Sequence, residues 1–190
     1  MKVCGVTTVG DALMAADCGA DAIGVVLESP SPRSVSPERA AAIFAAVGPL
    51  VVTVAVTATT TTAGIEEILR LRPGAVQVPA ACEVPPGAGV RVIRSVAPGD
   101  PVPENCDAVV VDGSRGTGLE FDADYAGWVT EQSAVPVILA GGLTPENVRD
   151  AIDALRPYGV DVASGVESRP GVKDPRRVRA FLLACRESGV

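Results

Sequence analysis

Histidine is absent from the 190-residue sequence. Its absence excludes Ser-His-Asp catalysis and every metal site that depends on histidine ligands. A general base in this chain must therefore be a carboxylate, a cysteine, a lysine or a tyrosine. Few side chains remain as candidates for acid–base chemistry.

Aromatic residues and basic clusters are also scarce. Only 3% of the residues are aromatic while 47% are hydrophobic, so the core must be built from Ala, Val, Leu and Ile, as in parallel strands buried on both faces. Lys and Arg number 16 against 23 Asp and Glu, which gives a formal net charge of -7. Because nucleic-acid binding needs clustered Lys and Arg, we expect no nucleic-acid partner. The length predicts a single domain over residues 1–190.

Long apolar runs and a cysteine framework are missing as well. The longest apolar runs, such as residues 50–56, are too short to span a bilayer, and the opening residues show no signal-peptide pattern. The cysteines are odd in number and have no CxxC spacing, which predicts reduced thiols rather than disulfides. We therefore expect a cytoplasmic protein that does not bind membranes. The five cysteines are Cys4, Cys18, Cys82, Cys106 and Cys185.

Short β-branched runs alternate with helix-period segments along the chain. Such alternation implies parallel strands joined by helical crossovers. The eight candidate strands span residues 2–4, 22–27, 50–56, 75–78, 90–93, 108–112, 135–139 and 160–163.

Three helices are predicted from their starts, where a capping side chain precedes a proline and an apolar face follows. These starts are Ser36-Pro37, Thr144-Pro145 and Asp174-Pro175. Weaker helical patterns cover residues 11–18, 62–71 and 122–131.

Two segments, residues 79–89 and 97–105, are too rich in Pro and Gly to form full helices. We therefore predict an α/β fold, a (β/α)8 TIM barrel trimmed so that one or two helices are shortened or missing. An open, doubly wound parallel sheet is the alternative that the same pattern allows.

The loops after strands seven and eight carry the strongest signal for a ligand, because such barrels commonly hold phosphate there. Gly141 and Gly142 follow strand seven, and Ser164 and Gly165 follow strand eight. Bare backbone N–H groups, helped by a following helix N-terminus, suit a phosphate. The alternative is that the paired glycines only satisfy turn geometry. The combination of the two segments favours phosphate.

Four more polar residues lie at predicted strand ends or in the loops that follow. Cys4 is either a small buried apolar residue or, as a thiolate, a base. Asp112 ends an apolar strand and either caps the next turn or faces the site. Arg33, in a proline-bracketed loop, is either solvated or binds a carboxylate through its forked guanidinium. Gln77 is either a structural amide or part of the site.

Segments at these same positions form a recognisable combination. They are KVCGVT at residues 2–7, GADAIG at 19–24, SPRSVS at 31–36, GTG at 116–118 with FD at 121–122, LAGGLTPENV at 139–148, GVDVASGVE at 159–167 and PGVKD at 170–174. Together they resemble the phosphoribosylanthranilate isomerase family over nearly the whole chain.

The resemblance implies a TIM barrel of the ribulose-phosphate-binding type. The reaction it implies is an Amadori rearrangement of N-(5-phosphoribosyl)anthranilate to 1-(2-carboxyphenylamino)-1-deoxyribulose 5-phosphate, without cofactor or metal. Asp112 would be the general acid and Cys4 the general base. The expected partner is a small phosphorylated aminosugar, and the chain would be a monomer or a homodimer.

The resemblance also assigns binding residues. Arg33 would bind the anthranilate carboxylate. The phosphate would be held by Gly142, Ser164 and Gly165, beside Gly141. The residues that would support the site are Asp161 and Gln77.

The chain departs from the family pattern in several places. Strand four continues as QVPA at residues 77–80 where members have QLHG, and AVT at residues 55–57 replaces FVN. Ala163 replaces the first serine of SSG, and the loop from Asp112 to Gly116 is short. We therefore predict that substrate fit is altered on the strand-four side. The same chemistry on a related aryl-aminoribosyl phosphate is an alternative.

Two further alternatives are a barrel that binds a phosphosugar without catalysis and a different phosphosugar enzyme, such as an aldolase or an epimerase. Cys4 and Asp112 speak against the first, because a pure binding protein has no need of an acid and a base. A Schiff-base aldolase needs a buried lysine at a strand end, yet the only lysines, Lys2 and Lys173, do not lie at the C-terminal end of a predicted strand. A metal-dependent epimerase would usually use histidine ligands.

Overall fold

Eight parallel strands close into a barrel in the computed structural model, which describes residues 1–112 and 122–189. Strand β1 pairs with both β2 and β8, so the open-sheet alternative is wrong. All eight predicted strands are confirmed, with ends that shift by a few residues. Their bounds are β1 Lys2–Val3, β2 Ala22–Leu27, β3 Val52–Thr57, β4 Ala75–Pro79, β5 Arg91–Val96, β6 Ala108–Asp112, β7 Val137–Ala140 and β8 Gly159–Val162.

Six α-helices accompany the strands in the described residues, and all six predicted helical segments are confirmed. Ser36 and Asp174 cap their helices as expected, since each side chain accepts a hydrogen bond from a backbone N–H of the first turn. The helices are α1 Val9–Asp17, α2 Pro37–Ala46, α3 Thr62–Arg70, α4 Ala123–Gln132, α5 Val148–Leu155 and α6 Pro175–Glu187. None of these helices is long and apolar enough to cross a membrane.

The predicted start of α5 at Thr144-Pro145 is wrong by a few residues. Asn147 occupies the N-cap position, and its side chain ties down the preceding turn. Its Oδ1 accepts from the Thr144 N–H at 2.7 Å, and its Nδ2 donates to the Gly142 carbonyl at 3.0 Å. The capping amide therefore serves the loop after β7 instead of the first turn of the helix.

The helices after β4 and β5 are missing, as the Pro- and Gly-rich segments predicted. Arg94, on β5, is only 4% exposed, and its side chain packs against the segment that follows β4. Its Nη1 donates to the carbonyls of Pro79 and Ala80, both at 3.3 Å, and to that of Cys82. A buried guanidinium thus satisfies backbone carbonyls that a crossover helix would otherwise have satisfied internally.

Alternation along the strands divides the apolar residues between the barrel interior and its outer face. The outward residues pack against the helices in the larger core cluster. The inward residues form a separate, smaller cluster that fills the barrel: Val54, Ala75, Ile93, Ala108, Val110 and Ala140. The barrel interior is therefore packed with small apolar side chains, and the polar inward residues stand out against it.

A short two-stranded antiparallel sheet follows β8. It consists of β9 Glu167–Arg169 and β10 Val172–Lys173, preceded by a single 3-10 turn at Ser164–Val166. This excursion brings Glu167 and Lys173 back over the C-terminal mouth of the barrel, where both contact residues of the site.

Candidate active site

A cavity of about 400 Å³ opens at the C-terminal end of the barrel. Eight of the nine predicted site residues line it: Cys4, Arg33, Gln77, Asp112, Gly141, Gly142, Asp161 and Ser164. The exception is Gly165. Strands on opposite sides of the barrel bring these residues together, which is the arrangement expected of this fold.

Cys4 lies one residue beyond β1 and is 7% exposed. Its N–H continues the strand ladder by donating to the Val162 carbonyl at 2.8 Å. Because alternate residues of a strand face the same side, Cys4 and Lys2 both point into the barrel. Gly24, on the neighbouring strand, leaves room for them: a Cβ there would lie 2.8 Å from the Cys4 Sγ and 3.0 Å from the Lys2 Cε.

Lys2 is a charged residue beside the site to which the sequence analysis gave no role. Its ammonium is buried and donates to Asp161 Oδ2 at 2.6 Å and to Gln77 Oε1 at 2.8 Å. Gln77 in turn donates to Ser95 Oγ at 3.0 Å. Lys2 opens β1, yet its long side chain rises through the barrel to the floor of the cavity. Period-two spacing from Cys4 was the available signal.

Gln77 is not a strand-end residue as predicted, because β4 continues to Pro79. The amide lies inside the barrel, 8% exposed, between Lys2 and Ser95. A second cavity of about 390 Å³ adjoins the first on this side and shares Gln77 and Asp112 with it. Pro79, one of the departures from the family pattern, lines that second cavity.

The charged neighbours of Cys4 act in opposing directions on its pKa. Burial raises the pKa of the thiol above its ordinary value, while the charges of Lys2 and Lys173 lower it and that of Asp161 raises it. For Lys2, burial lowers the pKa, but Asp161 and Cys4 outweigh it and hold the pKa above its ordinary value. Lys2 therefore stays charged beneath the thiol.

Asp112 is the last residue of β6 and is partly buried. Its register partner on β7 is Ala140, so its carboxylate lines the same cavity as Cys4 from another side of the barrel. The motif residues that follow, 116–118 and Phe121, lie outside the described residues.

Arg33 does not point into solvent. Its Nε donates to Glu167 Oε1 at 2.9 Å and its Nη2 donates to Glu167 Oε2 at 2.7 Å. Lys173 Nζ donates to the same carboxylate at 2.9 Å and to the Ala163 carbonyl at 3.0 Å. Burial would raise the pKa of Glu167, but these two cations hold it below its ordinary value. Sequence reasoning placed Glu167 and Lys173 only inside matching motifs, without a role.

The glycines after β7 have the turn geometry that one interpretation predicted, and they also border the cavity. Gly141 and Gly142 have φ angles of 91° and 63°, which glycine adopts without strain, and both line the cavity. Gly165 serves packing: a Cβ there would lie 1.8 Å from the Leu143 carbonyl oxygen. The loops after β7 and β8 touch at this point.

Within residues 1–112 and 122–189, no group of three or more carboxylate or thiol side chains is arranged to hold a metal ion. The polar groups that line the cavity include a thiol, carboxylates, a guanidinium, an amide and three serine hydroxyls. Such a set is suited to moving protons and to holding an anionic ligand.

Comparison with known proteins yields one family. A family model described as N-(5'-phosphoribosyl)anthranilate isomerase matches residues 1–184. A protein of that name from Methanoregula boonei is 52% identical over 189 residues, covering 99% of this chain and 97% of the relative.

Solved structures agree. A phosphoribosylanthranilate isomerase in complex with reduced 1-(o-carboxyphenylamino)-1-deoxyribulose 5-phosphate is 31% identical, with a TM-score of 0.81 over 98% of this chain and 97% of that one. A structure of monomers generated from the dimeric isomerase of Thermotoga maritima is also 31% identical, with a TM-score of 0.81 and the same coverage.

Proposed function

This chain belongs to the N-(5'-phosphoribosyl)anthranilate isomerase family, and from that premise we propose that Cys4 and Asp112 are the base and the acid of its reaction. The chain is an isomerase of tryptophan biosynthesis that converts N-(5'-phosphoribosyl)anthranilate to 1-(2-carboxyphenylamino)-1-deoxyribulose 5-phosphate. Family membership favours this substrate over the related aryl-aminoribosyl phosphates and over a role in binding alone.

The observation that carries the assignment is that Cys4 and Asp112 line one cavity from two different strands. A substrate between them presents its ring oxygen to one residue and C2 to the other. Asp112 protonates the furanose oxygen, so the ring C1–O bond breaks and an imine forms. Cys4 then removes the proton from C2, giving an enolamine that tautomerises to the ketone. Protons move but no atom is gained or lost.

The remaining polar residues suit the two ends of the substrate. Arg33 lines the cavity, and Glu167 bonds to its Nε and Nη2 but not to its Nη1, so a guanidinium donor suits the anthranilate carboxylate. The loops after β7 and β8, with Gly141, Gly142 and Ser164, suit the phosphate. Gly165 supports that cradle by letting the two loops touch.

The lower part of the site is also polar. Asp161 and Gln77 line the cavity and share the Lys2 ammonium between them. We assign them to support of the site, with Asp161 fixed by its ion pair. No step in this scheme needs a cofactor.

We propose in addition that the chain forms a homodimer in the cytoplasm through the N-terminal face of the barrel. Leu50, in the loop before β3, is 95% exposed and Tyr158, before β8, is 74% exposed. On the same face a cavity of about 640 Å³ is lined by residues at the strand starts, among them Val54, Ile93 and Ile138. Exposed apolar groups beside a mostly apolar hollow, which also includes Asp21, Arg91 and Asp107, suit a second copy of this face, and a relative is dimeric.

The test of the catalytic assignment follows the loss of anthranilate fluorescence as freshly made phosphoribosylanthranilate is converted. We expect turnover by the wild type, and a fall in kcat of at least about 10²-fold in Cys4→Ala and in Asp112→Asn. Cys18→Ala, which removes a thiol at the end of α1 outside the cavity, is the matched control and should keep wild-type activity.

Two outcomes would count against the assignment. Folded Cys4→Ala with near wild-type kcat would show that the base is another residue. A folded wild type that binds a reduced product analogue but does not turn over the substrate would point to a different aryl amine.

A further inference from the structure

The proposed acid–base reaction gives no task to one buried charge of the site, the ammonium of Lys2. Lys2 is 4% exposed and its ion pair with Asp161 is equally enclosed, with the two side chains 4% and 7% exposed. Buried ion pairs contribute little net stability because both charges lose their hydration. A structural role alone therefore does not account for a lysine at this position.

Geometry connects Lys2 to Cys4 instead. One residue separates them: Lys2 is on β1, and Cys4 directly follows β1 and continues its ladder, so both side chains face the same side. The glycine on the adjacent strand is bordered by both side chains: a Cβ at Gly24 would be 2.8 Å from the Cys4 sulfur and 3.0 Å from the last methylene of Lys2. The ammonium thus lies directly beneath the thiol.

The ion-paired cluster beside Cys4 carries more positive than negative charge. Three cations and two carboxylates meet there, so the cluster carries one positive charge in excess. A thiolate at Cys4 neutralises that excess without requiring another carboxylate. The charged groups around Cys4 include those that interact with it directly and the ion-pair partners of those groups. They are Lys2 on β1, Asp161 on β8, Arg33 in the loop after β2, Glu167 on β9 and Lys173 on β10.

Asp112 is the remaining charged residue of the cavity. It ends β6 and lines the cavity from another side of the barrel than Cys4.

We propose that Lys2 is a positioning residue for catalysis, whose charge stabilises the Cys4 thiolate while Asp161 and Gln77 hold the ammonium in place. Burial raises the pKa of the Cys4 thiol, and the charge of Lys2 is the largest influence that lowers it. Without Lys2 the pKa of the thiol rises further. A base must be deprotonated to act, so the low-pH limb of the rate profile moves to higher pH.

Removing the charge of Asp161 should move the pKa of the Cys4 thiol in the opposite direction. That charge raises the pKa of the Cys4 thiol. Removing it favours the thiolate, and the thiolate in turn favours the charged form of Lys2 in place of Asp161. Lys2→Met and Asp161→Asn should therefore move the same titration in opposite directions. A loss of packing or folding would not produce that pair of signs.

The experiment measures two pH profiles for the wild type, Lys2→Met and Asp161→Asn: the rate of Cys4 alkylation by iodoacetamide, read by peptide mass spectrometry, and kcat/KM with phosphoribosylanthranilate. Cys18 in the same samples is an internal control whose alkylation should not change. Arg70→Met, which removes an exposed charge at the end of α3, is the matched charge control. Circular dichroism checks that each variant is folded.

We expect Lys2→Met to move the Cys4 alkylation midpoint to higher pH and Asp161→Asn to move it to lower pH. In Lys2→Met, kcat/KM should fall at least about tenfold at pH 7 and recover as the pH rises. An unchanged alkylation midpoint in folded Lys2→Met would overturn the inference, and Asp161→Asn decides it if Lys2→Met does not fold.

The inference rests on the proposed base role of Cys4 only for its kinetic part. A shifted alkylation midpoint with an unshifted kcat/KM profile would support the coupling of Lys2 to Cys4 and would contradict Cys4 as the base. The two failures are therefore distinguishable in the same set of samples.

Discussion

The Arg33 guanidinium and the Glu167 carboxylate are joined edge to edge by two hydrogen bonds, at 2.9 Å and 2.7 Å. Bidentate pairing of this kind fixes the plane of the guanidinium as well as its position. Glu167 is itself held by the buried Lys173 ammonium. The side chain proposed to bind the substrate carboxylate is therefore oriented before any substrate arrives.

Glu167→Gln should weaken substrate binding through Arg33. The amide keeps the size of the carboxylate but loses its charge and one of its acceptor atoms, so the guanidinium is no longer held in one plane. We expect KM for phosphoribosylanthranilate to rise about 3- to 10-fold with a smaller change in kcat. Steady-state kinetics on the purified variant provide the measurement.

A substrate analogue without the carboxylate, made from aniline, is the control for that variant. Its KM should be nearly the same for the wild type and Glu167→Gln, because it has no group for Arg33 to bind. Equal losses on both substrates would mean that Glu167 acts elsewhere in the site.

Gly24→Ala should lower activity while leaving the barrel folded. The added Cβ would meet the Cys4 sulfur at 2.8 Å and the Cys4 Cα at 3.1 Å, so the base must move. We expect kcat/KM to fall at least about tenfold and the free energy of unfolding to fall by about 1–3 kcal/mol, as for other overpacked sites. Urea unfolding and steady-state kinetics measure the two effects.

Gly127→Ala is the matched control for that substitution. Gly127 lies in the middle of α4, where a Cβ would only touch the Leu155 Cδ2 at 3.6 Å. Alanine there should leave kinetics unchanged and raise the free energy of unfolding by about 0.5–1 kcal/mol. Wild-type kcat/KM in Gly24→Ala would show that the space beside Cys4 is not restrictive.

Arg94→Met should destabilise the fold without changing the chemistry. The substitution removes the donor shared by the carbonyls of Pro79, Ala80 and Cys82. We expect the free energy of unfolding to fall by about 2 kcal/mol or more, because partly buried carbonyls are left without a partner. Arg91→Met, at an exposed position of the same strand, should fall within about 0.5 kcal/mol of the wild type. Equal stability of the two variants would contradict the role given to Arg94.

Leu50→Lys should convert the proposed homodimer to monomers. The change places a charge on a side chain that is 95% exposed in the single chain and that the proposed interface would bury. Sedimentation velocity should show a dimer for the wild type and for Leu183→Lys, a control at an exposed leucine of α6. A wild type that sediments as a monomer across the tested concentrations would disprove the proposal.

Much of the fold was predictable because it depends on local patterns. The eight strands follow from β-branched runs, and the helix starts at Ser36 and Asp174 follow from capping side chains. The start of α5 was predicted too early because the side chain of Asn147 bonds to Thr144 and Gly142. The Asn147 side chain can either cap the helix or bond to the loop before it. The path of that loop decides between the two, and local sequence does not show it.

The candidate site was likewise predictable only in part. The sequence by itself determined that Cys4, Asp112 and the glycines after β7 belong to one end of a barrel, because strand ends of parallel strands share one edge. Only the tertiary structure decided what lies beneath and beside them. Lys2 reaches Asp161 across 159 positions of sequence, and Arg33 reaches Glu167 across 134. Closing the barrel brings these charges together, and burial then makes their pairing obligatory, since an unpaired charge in the interior is costly.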